Sequence, residues 1–136
     1  MKKIFFLLFI IVITVASCNI YDEPNNKFEL LPVESVVMPD SYKVDSTSQI
    51  TVKYRRPSTC HIFNGFYYDI NEFTRTVAVE SIKLDQNNCT DANILSEIPL
   101  DFHPQKEGIY TFKFFTGTNA TSGEDEFLNY EVEVLP

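Results

Sequence analysis

Ile50, Val52 and Tyr54 alternate with Thr51, Lys53 and Arg55, a two-residue period that sends one set of side chains to each face of a β-strand. The run GIYTFKFF repeats it, with Tyr110, Phe112 and Phe114 on one face and Thr111 and Lys113 on the other. LNYEVEV repeats it again, setting Leu128, Tyr130, Val132 and Val134 against Asn129, Glu131 and Glu133. Beyond the leading apolar run, no segment sustains the roughly 3.6-residue period of an amphipathic helix. Four weaker strands are predicted besides. Residues 28–38 are interrupted by Pro32, which lacks a ladder N–H and belongs at an edge or where a strand changes sheets. Residues 60–70 contain Gly65, a candidate bulge. Along 75–84 the apolar parity changes between Val77 and Val79 and then Ile82 and Leu84, which predicts a bend or bulge near Ser81. Ile98, Leu100 and Phe102 share a face around Pro99. Between the strands lie MPDS, RRPS, DQNNCTD, HPQKEG and GTNATSGED, all rich in turn formers.

Seven short strands in about 110 residues resemble an immunoglobulin-like antiparallel β-sandwich in size and spacing, and the expected fold class is all-β. The stretch HPQKEGIYTFKFF sharpens the resemblance, since it is similar to the sixth strand of bacterial immunoglobulin-like and fibronectin type III modules. That likeness implies a corner hydrogen bond from Tyr110, whose other role would be core filling. The chain departs from antibody-type domains in having no Trp and in placing its cysteines near the third strand and after the fourth. Twelve Phe and seven Tyr supply apolar mass for a core, and only four Gly with few Ala favour strands over a helical bundle.

The N-terminus supplies an address. Lys2 and Lys3 precede an unbroken apolar run over 4–13, followed by Thr14, Val15, Ala16, Ser17 and Cys18. A basic start, an apolar segment and small residues at its end form a secretory signal, and the run is short of the about 20 apolar residues of a membrane span. VASC, at 15–18, resembles a bacterial lipobox. The resemblance implies cleavage before Cys18 and a diacylglycerol on its thiol, so the expected organisation is a signal peptide at 1–17, a lipidated cysteine and flexible tether at 18–26, and one sandwich domain at 27–136. Two or more acyl chains make such anchoring stable. Residue 19 is Asn, not the Asp that retains many enterobacterial lipoproteins at the inner membrane, and Asp22 and Glu23 weakly resemble the export signal of Bacteroidota surface lipoproteins. The expected location is the cell envelope, at the outer membrane, facing the periplasm or the surface.

Removal of Lys2 and Lys3 with the signal leaves 9 basic and 19 acidic residues, a net charge of −10. That balance disfavours nucleic acid and anionic head groups as partners. Cys60 and Cys89 remain as an even pair in an exported chain, and a disulfide is expected. The alternative, a metal held by Cys60, His61, Cys89 and His103, lacks the close pairs of zinc motifs, and no metal or other cofactor is expected. The carboxylates of GEDE at 123–126 lack a calcium-loop pattern and read as a charged turn. No nucleophile elbow, P-loop, H-E-x-x-H or C-x-x-C occurs, so an enzyme is not expected.

The stretch FNGFYYDINEF carries the candidate binding surface. Strand alternation from Cys60 assigns Ile62, Phe66, Tyr68 and Ile70 to the core, and turns Phe63 and Tyr67 outward beside His61 and Asp69. An exposed aromatic pair among polar groups suits a glycan or protein partner. The chain thus reads as a non-catalytic, lipid-anchored interaction module, with a glycan-binding surface lipoprotein as the alternative and a small hydrolase behind both.

Overall fold

The computed structural model describes residues 25–136; the expected signal segment at 1–17, Cys18 and residues 19–24 of the expected tether lie outside the described residues. Among the described residues nine strands follow in order: β1 (Lys27–Leu31), β2 (Val33–Val37), β3 (Tyr42–Lys43), β4 (Ser48–Ser58), β5 (His61–Asn71), β6 (Thr74–Lys83), β7 (Asp91–Phe102), β8 (Gly108–Thr118) and β9 (Asp125–Leu135). They form a β-sandwich. One sheet has the order β1-β6-β8-β9-β3 with β5 also paired to β6, and the other is β2-β4-β7.

Nine strands arise where seven were expected because the first divides at Pro32 and a two-residue strand forms in the following loop. On either side of Pro32 the chain changes sheets, β1 pairing with β6 and β2 with β4. A residue without an N–H interrupts the ladder at the point where the ladder must be abandoned. Most pairings are antiparallel, but β6–β8 and β3–β9 are parallel. The tight β5–β6 turn gives β6 the inner position, and β7 runs back through the other sheet. Two reversals therefore return β8 to the direction of β6.

The core lies between the sheets. Ile50, Val52, Tyr54, Leu100 and Phe102 face Val77, Val79, Tyr110, Phe112, Phe114 and Val134, all buried and on the expected parities. Aromatic rings run through it edge to face: Tyr42 on Phe102 at 5.8 Å, Phe102 on Phe112 at 4.9 Å and Phe114 on Tyr130 at 6.0 Å.

The parity change expected in the strand at 75–84 does not occur. Arg75, Val77, Val79 and Ser81 all turn inward along β6. The irregularity sits opposite, in β5, where the register steps from Phe63↔Ser81 to Gly65↔Glu80. Ser81 is the complement of that bulge, its hydroxyl donating to the Ile62 carbonyl at 3.0 Å.

Tyr42 is 3% exposed and its hydroxyl has no hydrogen-bond partner among the described residues. Burial pushes its pKa up to about 12. An unsatisfied buried hydroxyl costs about 1–3 kcal/mol. Tyr42→Phe is therefore expected to leave stability unchanged or raise it by about 1 kcal/mol in urea unfolding. Because the folded pKa lies above the unfolded value, the native protein retains a proton that the unfolded chain loses. Tyr42 thus makes stability fall as pH rises from about 10 to about 12. The Phe variant should lose that part of the alkaline decline. A substantial loss of stability on Tyr42→Phe would contradict the assignment.

Candidate functional site

A groove of about 740 Å³ opens between the sheets at one end of the sandwich. Three stretches distant in sequence build it: the β5–β6 turn region with Tyr68, Phe73 and Arg75, the end of β7 with the loop after it, and the start of β8 with Tyr110. The turn is tight because Glu72 takes a left-handed conformation at φ 52°. Phe73 then folds back over Gly108, where a Cβ would stand 3.2 Å from its ring. Gly108 itself has φ 134°, a region that L side chains rarely adopt. Tyr110 meets Phe73 edge-on at 5.0 Å and donates its hydroxyl to the Lys106 carbonyl at 3.0 Å. That bond is the corner implied by the resemblance of this strand, and it pins the β7–β8 connection to the groove wall.

Arg75 is the unusual member. It is 9% exposed, its Nη1 donates to the carbonyls of Glu72 at 2.8 Å and Thr74 at 2.9 Å, and its guanidinium stands 4.9 Å from the Tyr110 ring centroid. Among the described residues it has no ion-pair partner. Carbonyl dipoles and a π face hold this cation in place of a directly paired carboxylate, and Glu72 and Asp101 line the same groove. Burial raises the Tyr68 pKa, while the adjacent Arg75 cation pulls the other way. Tyr68 therefore presents a neutral hydroxyl. At the rim, Asp101, His103 and Lys106 add polar groups, and Thr47 Oγ1 lies 3.2 Å from His103 Nδ1. Aromatic walls, a fixed cation and a polar rim suit a ring-shaped, oxygen-rich ligand.

The residues singled out from sequence lie elsewhere and do not converge. Tyr67 is 47% exposed and Asp69 is exposed, both on the outer face of β5. Phe63 and His61 turn the other way. Phe63 packs on the core, 6.4 Å from Tyr54 and 5.2 Å from Phe66 between ring centroids. His61 is 3% exposed, whereas Ile62 and Ile70, expected in the core, are 46% and 63% exposed. The bulge at Asn64 accounts for the first part: the extra residue inverts the parity between His61, Phe63 and the later Phe66, Tyr68 pair, while Ile70 keeps the parity of that pair and is exposed at the open groove end. The exposed aromatic pair is thus reduced to Tyr67 alone. Cys60 and Cys89 are joined, with Cα atoms 5.4 Å apart. No group of three His, Cys, Asp or Glu among the described residues is placed to hold a metal ion. In the GEDE turn, Asp125 accepts from Thr118 at 2.7 Å and Glu126 from Asn119 at 3.0 Å.

A buried polar chain that sequence reading missed joins three strands beside the disulfide. Ser58 Oγ lies 2.8 Å from His61 Nδ1, and His61 Nε2 lies 3.1 Å from Glu29 Oε2. The order of groups is that of a nucleophile, base and acid. Ser58, however, is 5% exposed and its oxygen already accepts the Cys60 N–H at 3.2 Å. The polar chain is a latch that ties β1 to the β4–β5 turn. The bulge residue Gly65 is the available signal for it, since a parity inversion there puts His61 inside.

No protein-family model matches the chain, and no curated protein or solved structure is detectably similar to it.

Proposed function

We propose that this protein is a non-catalytic, lipid-anchored binding module of the cell envelope that takes its ligand in the Arg75 groove. One observation carries the reading. Lys27, where the chain arrives from Cys18, aligns through Lys83 with His61 at one end of β5, and the groove lies at the other end. The eleven residues of β5 separate the two by roughly 33 Å. A domain held by its N-terminus would therefore present the groove away from the membrane. The Cys60–Cys89 bond supports an oxidising compartment such as the periplasm or the cell surface.

Glycan is the ligand class that the groove favours, because Tyr68 and the 40% exposed Phe73 offer rings beside a cation, with the buried Tyr110 behind them. This moves the glycan reading from the Phe63 and Tyr67 surface to the opposite end of the core-facing side of β5. The polar chain at Ser58 favours no hydrolytic role, since Ser58 and His61 are buried at the end of β5 remote from the groove.

Anchoring is tested through Cys18. Cells expressing the wild-type chain should incorporate labelled palmitate into a processed protein, and Cys18→Ser should accumulate as an unlabelled precursor. Label retained on the Ser variant would refute lipidation at this residue.

A further inference from the structure

The outward face of the larger sheet carries an apolar row where water-facing strands ordinarily place polar groups. Phe28 of β1 stands opposite Ile82 of β6, which stands opposite Ile62 of β5. All three point away from the core, since Glu29, Ser81 and His61 beside them point into it. Phe28 is 74% exposed, and Leu30, the next outward residue of β1, is 48% exposed. The row next along the sheet ends the apolar surface, because Leu30 there opposes Glu80. Towards the other side, Lys27 opposes Lys83.

The row has a definite place. It is the last on the sheet before Lys27, and Lys27 is only the ninth residue after Cys18, at most about 30 Å of chain away. We infer that this row is the face by which the domain rests on its own bilayer. Phe28, Ile62, Ile82 and Leu30 enter the boundary between head groups and acyl chains. The inference rests on anchoring through Cys18. A contact of four side chains is weak for a free protein, but a short tether makes it intramolecular and keeps the local lipid concentration high. Apolar insertion rather than charge drives it, since the mature chain is strongly acidic. Docked this way, the domain holds the Arg75 groove outward.

The protein has no Trp, so one introduced Trp is an isolated reporter. With Cys60 and Cys89 bonded, Cys18 of a mature chain produced without acylation offers a single free thiol, which couples to a maleimide lipid in phosphatidylcholine vesicles. This supplies the anchor chemically, whatever the cell does at Cys18. In the coupled chain, Phe28→Trp should emit to the blue of its vesicle-free spectrum and lose most of its emission to brominated acyl chains. Adding Ile62→Asp should restore a water-like spectrum. Ile109→Trp, on the same sheet face at the groove end and 64% exposed at present, should stay water-like throughout. A Phe28→Trp spectrum unchanged on coupling overturns the docking face and leaves lipidation, tested by palmitate, untouched. A Phe28→Trp spectrum already blue without vesicles also overturns it, and assigns the row to the chain's own tether or to a second copy.

Discussion

Phe102→Ala is expected to remove about 3–5 kcal/mol of stability, the usual cost of emptying a buried phenylalanine site. Phe102 is 2% exposed and lies at the junction of both sheets, with Phe112, Tyr110 and Tyr42 all edge-on to its ring at 4.9, 5.2 and 5.8 Å. Three rings that pack on one side chain cannot all follow it inward, so the cavity should persist. A domain of this size has a total stability of about 5–15 kcal/mol, and the variant should sit near the lower limit of foldability. Urea unfolding at neutral pH measures the loss. Ile109→Ala, at an exposed site, should change stability by no more than about 0.5 kcal/mol in the same assay. Equal midpoints for the two variants would mean that the ring cluster does not hold the sheets together.

The double variant Cys60→Ser, Cys89→Ser is expected to lose about 3–4 kcal/mol, the chain-entropy value for opening a loop of this length. The residues are 29 apart in sequence, and the bond joins the β4–β5 turn to the loop after β6. Changing both avoids a lone thiol. The loss should be accompanied by faster amide exchange at residues 58–62, because the disulfide stands beside the Ser58–His61–Glu29 latch. Exchange in the Tyr110 corner, at the other end, should rise only with global unfolding. A variant as stable as the wild type would show that the latch and core hold this end without the bond.

Strand existence is legible in the sequence because period two is a local signal. Ile50 to Tyr54, Tyr110 to Phe114 and Leu128 to Val134 each keep their expected face, and Pro32 marks the change of sheets. The stretch from His61 to Ile70 is harder to read. Aromatics occupy both parities there, so no apolar contrast fixes the phase, and Gly65 indicates a bulge without saying which residues it inverts. Ile82 lies outward on a bare row, and counting it as a core residue produces the false bend at Ser81. The position of β6 between β5 and β8 is a long-range pairing that no local pattern encodes. The groove has the same origin. Arg75 reads in sequence as an ordinary polar strand residue, and only the approach of Phe73, Tyr110 and the β7–β8 connection makes it a buried cation.

The most direct test of a ligand groove at the far end is an amide NMR titration of the mature, disulfide-bonded protein with soluble oligosaccharides released from the cell's own envelope. Saturable shifts are expected at residues 68–75, 101–106 and 110, and Arg75→Gln should abolish them while the remaining spectrum is unchanged. Shifts confined to Tyr67, Asp69 and the outer face of β5, or none at saturating oligosaccharide, would contradict the account.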